Sequence, residues 1–439
     1  MKRNILITII IFLINGLLPV ISFANDIFKD EVPYGLGVNI HTHASFPKSL
    51  DEITAAGFKV IRTNLYWHQI EKIKTAYDWH NYDKLIQKMD KAGIRPLLAL
   101  SFSNPLYEPM HKITGLTGNK LEKAAPPTHE DSIRAFAKFA ATAAHRYRKS
   151  NIIWEIWNEP NYKVFWVPEP NASDYANLAN ATCTAIKKLV PEAIVIAPSS
   201  SGTPFDDNHI IWWKEFLEKV NLDCIDAISV HPYVWNTNKG PYINIEKYNH
   251  LRELILEYTT HNAPIISSEF GFSSSDWNIY PKRQAALLVR NYIINLMENI
   301  PISIWYDWRD DGTNPKEREH NFGITKRNGE KKPLFYAAQT LSNYLNGYKF
   351  GKRIDNNDKD IYLIMFKHPT KPPILVAWTV KNTPKEISIS LTDIENADIE
   401  ARDILGDKTK YHIKNNNIIF TISEIPQYIM QKDQNSNGR

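Results

Sequence analysis

The sequence of 439 residues has few cysteines and no excess of charge of one sign. The 2 cysteines, Cys183 and Cys224, cannot build a disulfide scaffold or a cysteine-rich zinc site, although they leave one Cys183–Cys224 disulfide open. The formal net charge is only +4, which is far from the balance of a nucleic-acid-binding protein. We therefore expect no DNA or RNA partner. A hydrophobic content of 43% excludes a disordered chain and is typical of a globular fold.

Long apolar runs are absent except at the N-terminus. Lys2 and Arg3 precede an apolar run over residues 5–21, and small residues up to Ala24 precede a polar segment. This layout is typical of a secretory signal peptide, so we expect residues 1–24 to be removed and the protein to be periplasmic or secreted. The alternative is an uncleaved anchor, because the run is nearly long enough to span a bilayer. Once the segment is cleaved, we expect no stable membrane insertion.

Short apolar runs alternate with stretches of helical period between residues 25 and 347. The predicted strands cover residues 35–40, 60–65, 95–100, 152–157, 194–197, 227–230, 264–267 and 302–305. Helical patterns follow, for example at 132–147, 174–189, 211–220, 245–258, 283–299 and 334–345. Eight such units predict a (β/α)8 TIM barrel. A doubly wound open sheet is the alternative, but no glycine-rich phosphate loop follows the first strand.

The pattern becomes rich in β-strands over residues 348–430. Predicted strands cover 361–367, 374–380, 386–391 and 411–422, with a hairpin turn at residues 415–417. This predicts a C-terminal β-sandwich domain. Residues 431–439 are polar, and we expect a disordered tail.

Two carboxylates mark the C-terminal ends of predicted barrel strands. The fourth strand is followed by Asn158-Glu159-Pro160, and the seventh leads into Glu269. The active site of a barrel of this kind lies at this end of the strands. Two carboxyl groups about 5 Å apart across the barrel mouth suit a retaining glycosidase, in which one is the nucleophile and the other acts first as acid and then as base.

This pairing of Asn-Glu-Pro with a second glutamate resembles clan A of the retaining glycoside hydrolases. Together with Arg62 in strand two and His231-Pro232-Tyr233 after strand six, the layout is most similar to glycoside hydrolase family 39, in particular to bacterial periplasmic enzymes that cut exopolysaccharide. The resemblance implies that Glu159 is the general acid/base and Glu269 the nucleophile. It places Arg62 beside the nucleophile, where a fixed positive charge keeps that carboxylate ionised.

The same resemblance implies the substrate-binding residues. Asn158 matches the residue that hydrogen-bonds the sugar 2-hydroxyl, and Tyr233 matches the tyrosine that orients the nucleophile; for both, the alternative is a hydrogen bond at a strand end. Six of the 12 tryptophans lie at or beyond predicted strand ends and offer flat faces for sugar rings: Trp67, Trp166, Trp235, Trp277, Trp305 and Trp308. Trp305 resembles the platform under the sugar being cleaved, and we expect Trp166 and His231 to contact substrate as well.

His41 and His43 after strand one have a second interpretation. Together with His231 and Asp307 they are what a metal-dependent amidohydrolase barrel would carry. The rest of that pattern is missing, because strand five ends without a histidine. We therefore predict no metal and no cofactor, and we expect His41 to hydrogen-bond a sugar hydroxyl.

Two long loops, at residues 103–129 and 307–322, are expected to form the walls of a groove for a polymer. Their mixed charge does not choose between a neutral and an acidic polysaccharide. The predicted function is a monomeric, exported glycosidase acting on β-linked poly- or oligosaccharide. The alternatives are a non-catalytic carbohydrate-binding protein on the same scaffold and a metal-dependent hydrolase.

Overall fold

The computed structural model describes residues 28–41, 50–115, 118–204, 207–234, 240–260, 263–394 and 398–432. The predicted signal peptide, its cleavage after Ala24, His43 and Trp235 lie outside these residues. The first ten strands are β1 (Leu36–Asn39), β2 (Val60–Tyr66), β3 (Arg95–Ser101), β4 (Met110–Thr114), β5 (Lys120–Ala124), β6 (Ile153–Ile156), β7 (Ile194–Ser201), β8 (Ala227–His231), β9 (Ile265–Phe270) and β10 (Ser303–Trp305).

Eight of these strands close a parallel barrel in the order β1-β10-β9-β8-β7-β6-β3-β2, while β4 and β5 form a separate antiparallel hairpin. All eight predicted barrel strands are confirmed. The helices are α1 (Asp51–Ala55), α2 (Trp67–Ile70), α3 (His80–Lys91), α4 (Glu130–Arg146), α5 (Ala172–Leu189), α6 (Asp207–Lys219), α7 (Ile243–Leu256), α8 (Pro281–Met297), α9 (Pro333–Tyr344) and α10 (Leu391–Ile394). The six helical patterns each correspond to one of these, from α4 to α9.

The barrel interior is apolar at the N-terminal end of its strands. Side chains from successive strands meet there in one buried cluster, which includes Val60, Leu97, Ile153, Ile196 and Ile266. Because side chains of a strand alternate between its two faces, the neighbouring residues point outward and pack against the helices. The two-sided burial explains why these strands read as continuous apolar runs in the sequence.

The C-terminal region forms two antiparallel sheets. Their strands are β11 (Lys349–Arg353), β12 (Ile361–Lys367), β13 (Ile374–Thr379), β14 (Lys385–Ser390), β15 (Ile399–Asp403), β16 (Tyr411–Lys414), β17 (Asn417–Ile422) and β18 (Gln427–Gln431). One sheet has the order β11-β12-β13-β18-β15 and the other β14-β17-β16, with an apolar cluster between them. The predicted sandwich is therefore confirmed. The hairpin turn is also present, with Asn415 and Asn416 at positive φ.

The outer face of the larger sheet contacts the barrel. The ring of Tyr362 packs on Tyr242, and the Trp378 indole N–H donates to the Tyr242 hydroxyl at 2.8 Å. The domain boundaries at 347/348 and 430/431 stay predictions. β18 ends at Gln431, one residue inside the predicted tail, and residues 433–439 lie outside the described part.

Cys183 of α5 and Cys224 before β8 form a disulfide. The bridge that the composition left open is thus present, and it ties α5 to the loop that leads from α6 into β8. Among the described residues, no helix combines the length and apolar character needed to cross a bilayer.

Candidate active site

The two predicted carboxylates meet at the C-terminal end of the barrel. Glu159 lies three residues beyond the end of β6, and Glu269 is the residue before the last one of β9. A carboxylate oxygen of Glu159 and one of Glu269 lie within 4.8 Å of each other, and a ring nitrogen of His231 lies within the same distance of both. This separation matches the roughly 5 Å that a retaining glycosidase needs and is shorter than the roughly 6.5–9.5 Å of an inverting enzyme.

Glu269 is held ionised by two direct contacts. Its Oε2 accepts a hydrogen bond from Arg62 Nη1 at 2.7 Å, and its Oε1 accepts one from the Tyr233 hydroxyl at 2.8 Å. Burial opposes the ionised form, but the charges of His231 and Arg62, together with the Tyr233 hydrogen bond, outweigh burial and lower the pKa of Glu269. An ionised carboxylate is the form that can act as a nucleophile.

Arg62 of β2 links β6 and β9 through hydrogen bonds to Glu155 and Glu269. It is 2% exposed, and its Nε donates to Glu155 Oε2 at 2.8 Å while its Nη2 donates to Asn158 Oδ1 at 2.7 Å. Burial opposes the charge of the guanidinium, yet the carboxylates of Glu155 and Glu269 raise the pKa of Arg62 further. A planar guanidinium with donors in a fixed fork suits this task, because it holds several oxygen acceptors in one plane.

The backbone after β6 changes direction so that Trp157 packs in the core while Glu159 reaches the end of the barrel. Trp157 and Glu159 both have positive φ, and the Glu159 N–H donates to the carbonyl oxygen of Ser199 at 2.9 Å. Non-glycine residues in this region of the backbone map are costly and cluster at functional sites. The hydrogen bond to Ser199 of β7 offsets the cost of this backbone conformation and fixes the position of the Glu159 backbone, from which the side chain extends.

His231 lies beneath the two carboxylates. Its Nδ1 is 2.9 Å from Glu159 Oε1 and 4.0 Å from Glu269 Oε1, and its Nε2 is 3.0 Å from Ser199 Oγ. The imidazole has no exposed surface. The sequence predicts that His231 contacts substrate; in the structure its buried imidazole contacts the two carboxylates.

The tryptophans separate into core and surface. Trp166 is 1% exposed and packs on Trp157 and Tyr175, so the structure does not bring this predicted substrate-binding residue into the open cleft. Trp67 and Trp308 are equally buried. The predicted tryptophan cluster is therefore mostly packing.

Of the other two described tryptophans of this predicted cluster, Trp305 is only 4% exposed and belongs to the core, so Trp277 is the one with an open face. Trp305 ends β10 beside Phe270, and its indole N–H donates to the Phe322 carbonyl at 3.1 Å, which fixes the plane of the ring. Trp277, in the loop after β9, is 81% exposed. The platform role of Trp305 stays a prediction.

His41 belongs to a second polar group beside β10. Its Nε2 is 3.1 Å from the Tyr306 hydroxyl, 3.4 Å from Asp307 Oδ2 and 3.7 Å from Asp311 Oδ2. Burial alone would lower its pKa, but the hydrogen bond to Asp307 and the charges of both aspartates raise the pKa of His41 to about 9. His41 is therefore a cationic donor next to the carboxylates.

The histidines and the aspartate that would bind one metal ion in an amidohydrolase lie in two separate clusters here. Among the described residues, His41 and Asp307 share one cluster with Asp311, whereas His231 shares another with Glu159 and Glu269. His231 is also held by Ser199 and Glu159, so its nitrogens are already engaged. The geometry therefore favours the two-carboxylate interpretation over the metal-dependent one.

The long loop after β3 contains the hairpin of β4 and β5, which the sequence analysis did not predict. The loop after β10 contains a 3-10 helix at Arg318–Asn321 and brings Phe322 against Tyr233. Both loops stand at the C-terminal end of the barrel, as expected for walls of a groove.

Glu155 and Ser199 are site residues that the sequence analysis missed. Glu155 is fully buried and neutralises Arg62, and Ser199 links His231 to the Glu159 backbone. A signal for Glu155 was present, because a charged residue between Trp154 and Ile156 in a buried strand requires a partner.

Comparison with known proteins agrees with this geometry. A family model described as "Cellulase (glycosyl hydrolase family 5)" matches residues 35–312. A β-xylosidase of Caldicellulosiruptor saccharolyticus is 24% identical over 416 residues, covering 81% of this chain and 83% of the relative.

Solved structures show the same likeness over almost the whole chain. A family 39 glycoside hydrolase from Bacteroides cellulosilyticus WH2 superposes with a TM-score of 0.76 at 26% identity, covering 92% of this chain and 82% of that one. A family 39 β-xylosidase from Caulobacter crescentus shares the fold, with a TM-score of 0.64 at 16% identity, covering 92% and 97%. The expected resemblance to clan A and to family 39 is confirmed, while the matching family model is that of family 5.

Proposed function

Because this chain belongs to the cellulase family of glycosyl hydrolases, family 5 of the retaining clan A, we propose that it cleaves β-O-glycosidic bonds of an extracellular polysaccharide with Glu269 as nucleophile and Glu159 as acid/base. A carbohydrate is its substrate class. The observation that carries the proposal is the spacing of the two carboxylates, whose oxygens lie within 4.8 Å across the end of the barrel.

In the first step the Glu269 carboxylate attacks the anomeric carbon and forms a glycosyl ester. Glu159 gives its proton to the glycosidic oxygen, so that the bond between this oxygen and the anomeric carbon breaks and the leaving sugar departs as an alcohol. In the second step Glu159 takes a proton from water, and the hydroxide oxygen attacks the anomeric carbon and releases Glu269. Two inversions give net retention.

The surrounding residues support this division of roles. Arg62 and Tyr233 stabilise the ionised form of Glu269 through the hydrogen bonds described above. Arg62 has only donors, so the Asn158 atom that faces it is the oxygen, and the Asn158 amide N–H groups are left to donate to a sugar hydroxyl. His231 and Ser199 fix the position of Glu159.

Export is part of the proposal. It is supported by the charged and apolar N-terminal pattern up to Ala24, which precedes the barrel. The β-configuration is supported by the similarity to a β-xylosidase that spans 81% of this chain. A polymer rather than a short oligosaccharide is supported by the two long loops that rise beside the cleft.

The test compares the chain beginning at Asn25 with three variants: Glu159→Gln, Glu269→Gln and the surface control Glu130→Gln, which lies on the exposed start of α4. We expect wild type and Glu130→Gln to release reducing ends from at least one member of a panel of bacterial and plant polysaccharides. Glu159→Gln is expected to be slower by on the order of 10²- to 10⁴-fold, and Glu269→Gln to lose more, because no covalent intermediate forms.

Azide separates the two roles. With an activated aryl β-glycoside such as 4-nitrophenyl β-xyloside, azide is expected to rescue Glu159→Ala and give the β-glycosyl azide, because the anion attacks the covalent intermediate. Rescue of Glu269→Ala would give the α-glycosyl azide by direct displacement. Binding of a polysaccharide by wild type and variants alike without any release of sugar would instead favour a carbohydrate-binding protein.

A further inference from the structure

The hairpin of β4 and β5 has an inner and an outer face. Directly opposed residues of an antiparallel pair point to the same side, so His111 and Lys123 share one face while Lys112 and Glu122 share the other. Lys112, Lys120 and Glu122 are exposed, whereas His111 and Lys123 are half-buried. Lys123 is therefore on the face that turns toward the barrel.

The Lys123 ammonium lies above the loop that follows β6. Its Nζ donates to the Val164 carbonyl at 2.9 Å and lies 4.6 Å from the ring centre of Phe165 and 5.2 Å from that of Phe102. These two rings stack on each other, and Phe165 lies six residues after Glu159. The amine is thus fixed by a carbonyl and two aromatic faces rather than extended into solvent.

Lys123 is a cation without a carboxylate partner in the described part of the chain. One of its three N–H donors is used by Val164, and no Asp or Glu oxygen of that part lies within ion-pair distance. Burial lowers the pKa of Lys123 to about 8, and the charge of Glu159 partly opposes this. A half-buried cation of this kind carries a desolvation cost that a bound anion would offset.

The other wall of the cleft has a different charge arrangement. Beside β10 the two cations nearest the cleft that form ion pairs are His41, which lies 3.4 Å from Asp307, and Arg318, which lies 3.0 Å from Asp276. Burial raises the pKa of Glu319 on the same wall, Arg318 opposes the rise, and Glu269 adds to it. The loop at residues 307–322 on this wall has five acidic and three basic side chains, so its formal charge is negative.

The barrel order assigns the two walls to the two ends of the cleaved bond. β3 and β6 are neighbours, so the hairpin after β3 stands on the side of Glu159, while β10 adjoins the strand of Glu269. The group that gives its proton to the glycosidic oxygen faces the leaving sugar. The wall that carries Lys123 therefore lies along the leaving-group side.

We propose that Lys123 binds an anionic substituent, a carboxylate or a sulfate, on the sugar that occupies the leaving-group side, so that the substrate is an acidic polysaccharide. The inference rests on the proposed function and adds its substrate class. The two remaining N–H donors of Lys123 supply the hydrogen bonds, and the stacked rings of Phe102 and Phe165 hold the ammonium in place.

The test uses pairs of polymers that differ only in charge. A uronate-containing polysaccharide is compared with its carboxyl-reduced form, and a sulfated one with its desulfated form. We expect wild type to prefer the charged member of one pair by about tenfold or more in kcat/KM, because a hydrogen bond to a charged group is stronger than one to a neutral group. The pair that shows the preference identifies the anion.

Variants assign the preference to this residue. Lys123→Met and Lys123→Gln are expected to bring the ratio of the two kcat/KM values close to one, because kcat/KM falls by about tenfold or more on the charged polymer and by much less on the neutral one. Lys120→Met, on the outer face of the same hairpin, is expected to keep the wild-type ratio. A high salt concentration should lower the preference of wild type but not that of Lys123→Met.

Two results would overturn the inference while leaving the glycosidase intact. One is a wild-type enzyme that cleaves the neutral members equally well or better. The other is a Lys123→Met variant that loses activity on charged and neutral polymers alike, which indicates that Lys123 only anchors the hairpin. If wild type cleaves no polymer and no aryl β-glycoside, the proposed function fails and the inference falls with it.

Discussion

The barrel interior has two halves that are built from the same strands. The lower half is the apolar cluster at the N-terminal ends of the strands, and the upper half is the charged network around Arg62 at their C-terminal ends. On β2 the inward residue Val60 is followed two positions later by Arg62, and on β6 Ile153 is followed by Glu155. A single step of the strand period thus changes an apolar cluster into a network of buried charge. The difference shows that position along the strand, rather than strand identity, separates stability from chemistry in this molecule.

The energetics of the two halves differ accordingly. In the lower half each buried aliphatic side chain contributes about 1.5–3 kcal/mol of transfer free energy. In the upper half Arg62, Glu155 and Glu269 must lose water, and their mutual attraction does little more than offset that cost. The upper half serves to keep Glu269 ionised. We therefore expect substitutions there to lower activity as well as stability, whereas substitutions in the lower half should lower stability alone.

Arg62→Met is the substitution with the largest expected effect. It leaves Glu155 without a partner in a fully buried position, so we expect the free energy of unfolding to fall by about 3–5 kcal/mol. Activity at neutral pH should also be lost, since Arg62 helps to keep Glu269 ionised. Urea unfolding followed by tryptophan fluorescence measures the first effect and hydrolysis of an aryl β-glycoside the second.

A second substitution sharpens this result. Adding Glu155→Gln to Arg62→Met removes the orphaned charge, so the double variant should recover part of the lost stability without recovering activity. Equal stability of the single and the double variant would show that the buried charge of Glu155 is not what destabilises the upper half.

Ile266→Ala tests the lower half. Ile266 is fully buried in the apolar cluster, and its truncation is expected to cost about 2–5 kcal/mol of unfolding free energy. Below the unfolding midpoint kcat should remain within about threefold of wild type, because no polar contact of the site changes. A large loss of kcat in a variant that is still folded would mean that the two halves are not separable.

The lower half is also the part that was most predictable from the sequence. Buried parallel strands must be apolar on both faces, so runs such as those of β3 and β7 are visible without an alignment. The hairpin of β4 and β5 was missed because its residues are mostly exposed and polar and lack an apolar alternation. β11, β15 and β18 were not predicted either: β11 and β15 have only a few inward-facing apolar residues, and β18 is a run of five residues with glutamine at both ends.

The upper half was predictable only where a motif marked it. The positions of Glu159, Glu269, Arg62 and Tyr233 followed from strand ends and a family resemblance, and the structure brings these four side chains together. Which nitrogen of His231 meets which oxygen depends on the turn after β6 and on a long-range hydrogen bond to Ser199. Residue type alone does not reveal this, which is also why Trp166 was expected in the cleft and lies in the core.

Tyr233→Phe has the smallest expected effect and separates electrostatics from packing within the upper half. The hydroxyl donates to ionised Glu269, and so its removal raises the pKa of that carboxyl. The nucleophile must be ionised, and therefore the acid limb of kcat/KM is expected to move to higher pH, with a loss of about tenfold on that limb. Tyr175→Phe is the matched control, because its hydroxyl donates to the Ile156 carbonyl and touches no carboxylate. If the acid limb moves equally in both variants, the hydroxyl of Tyr233 acts through packing rather than through the charge of Glu269.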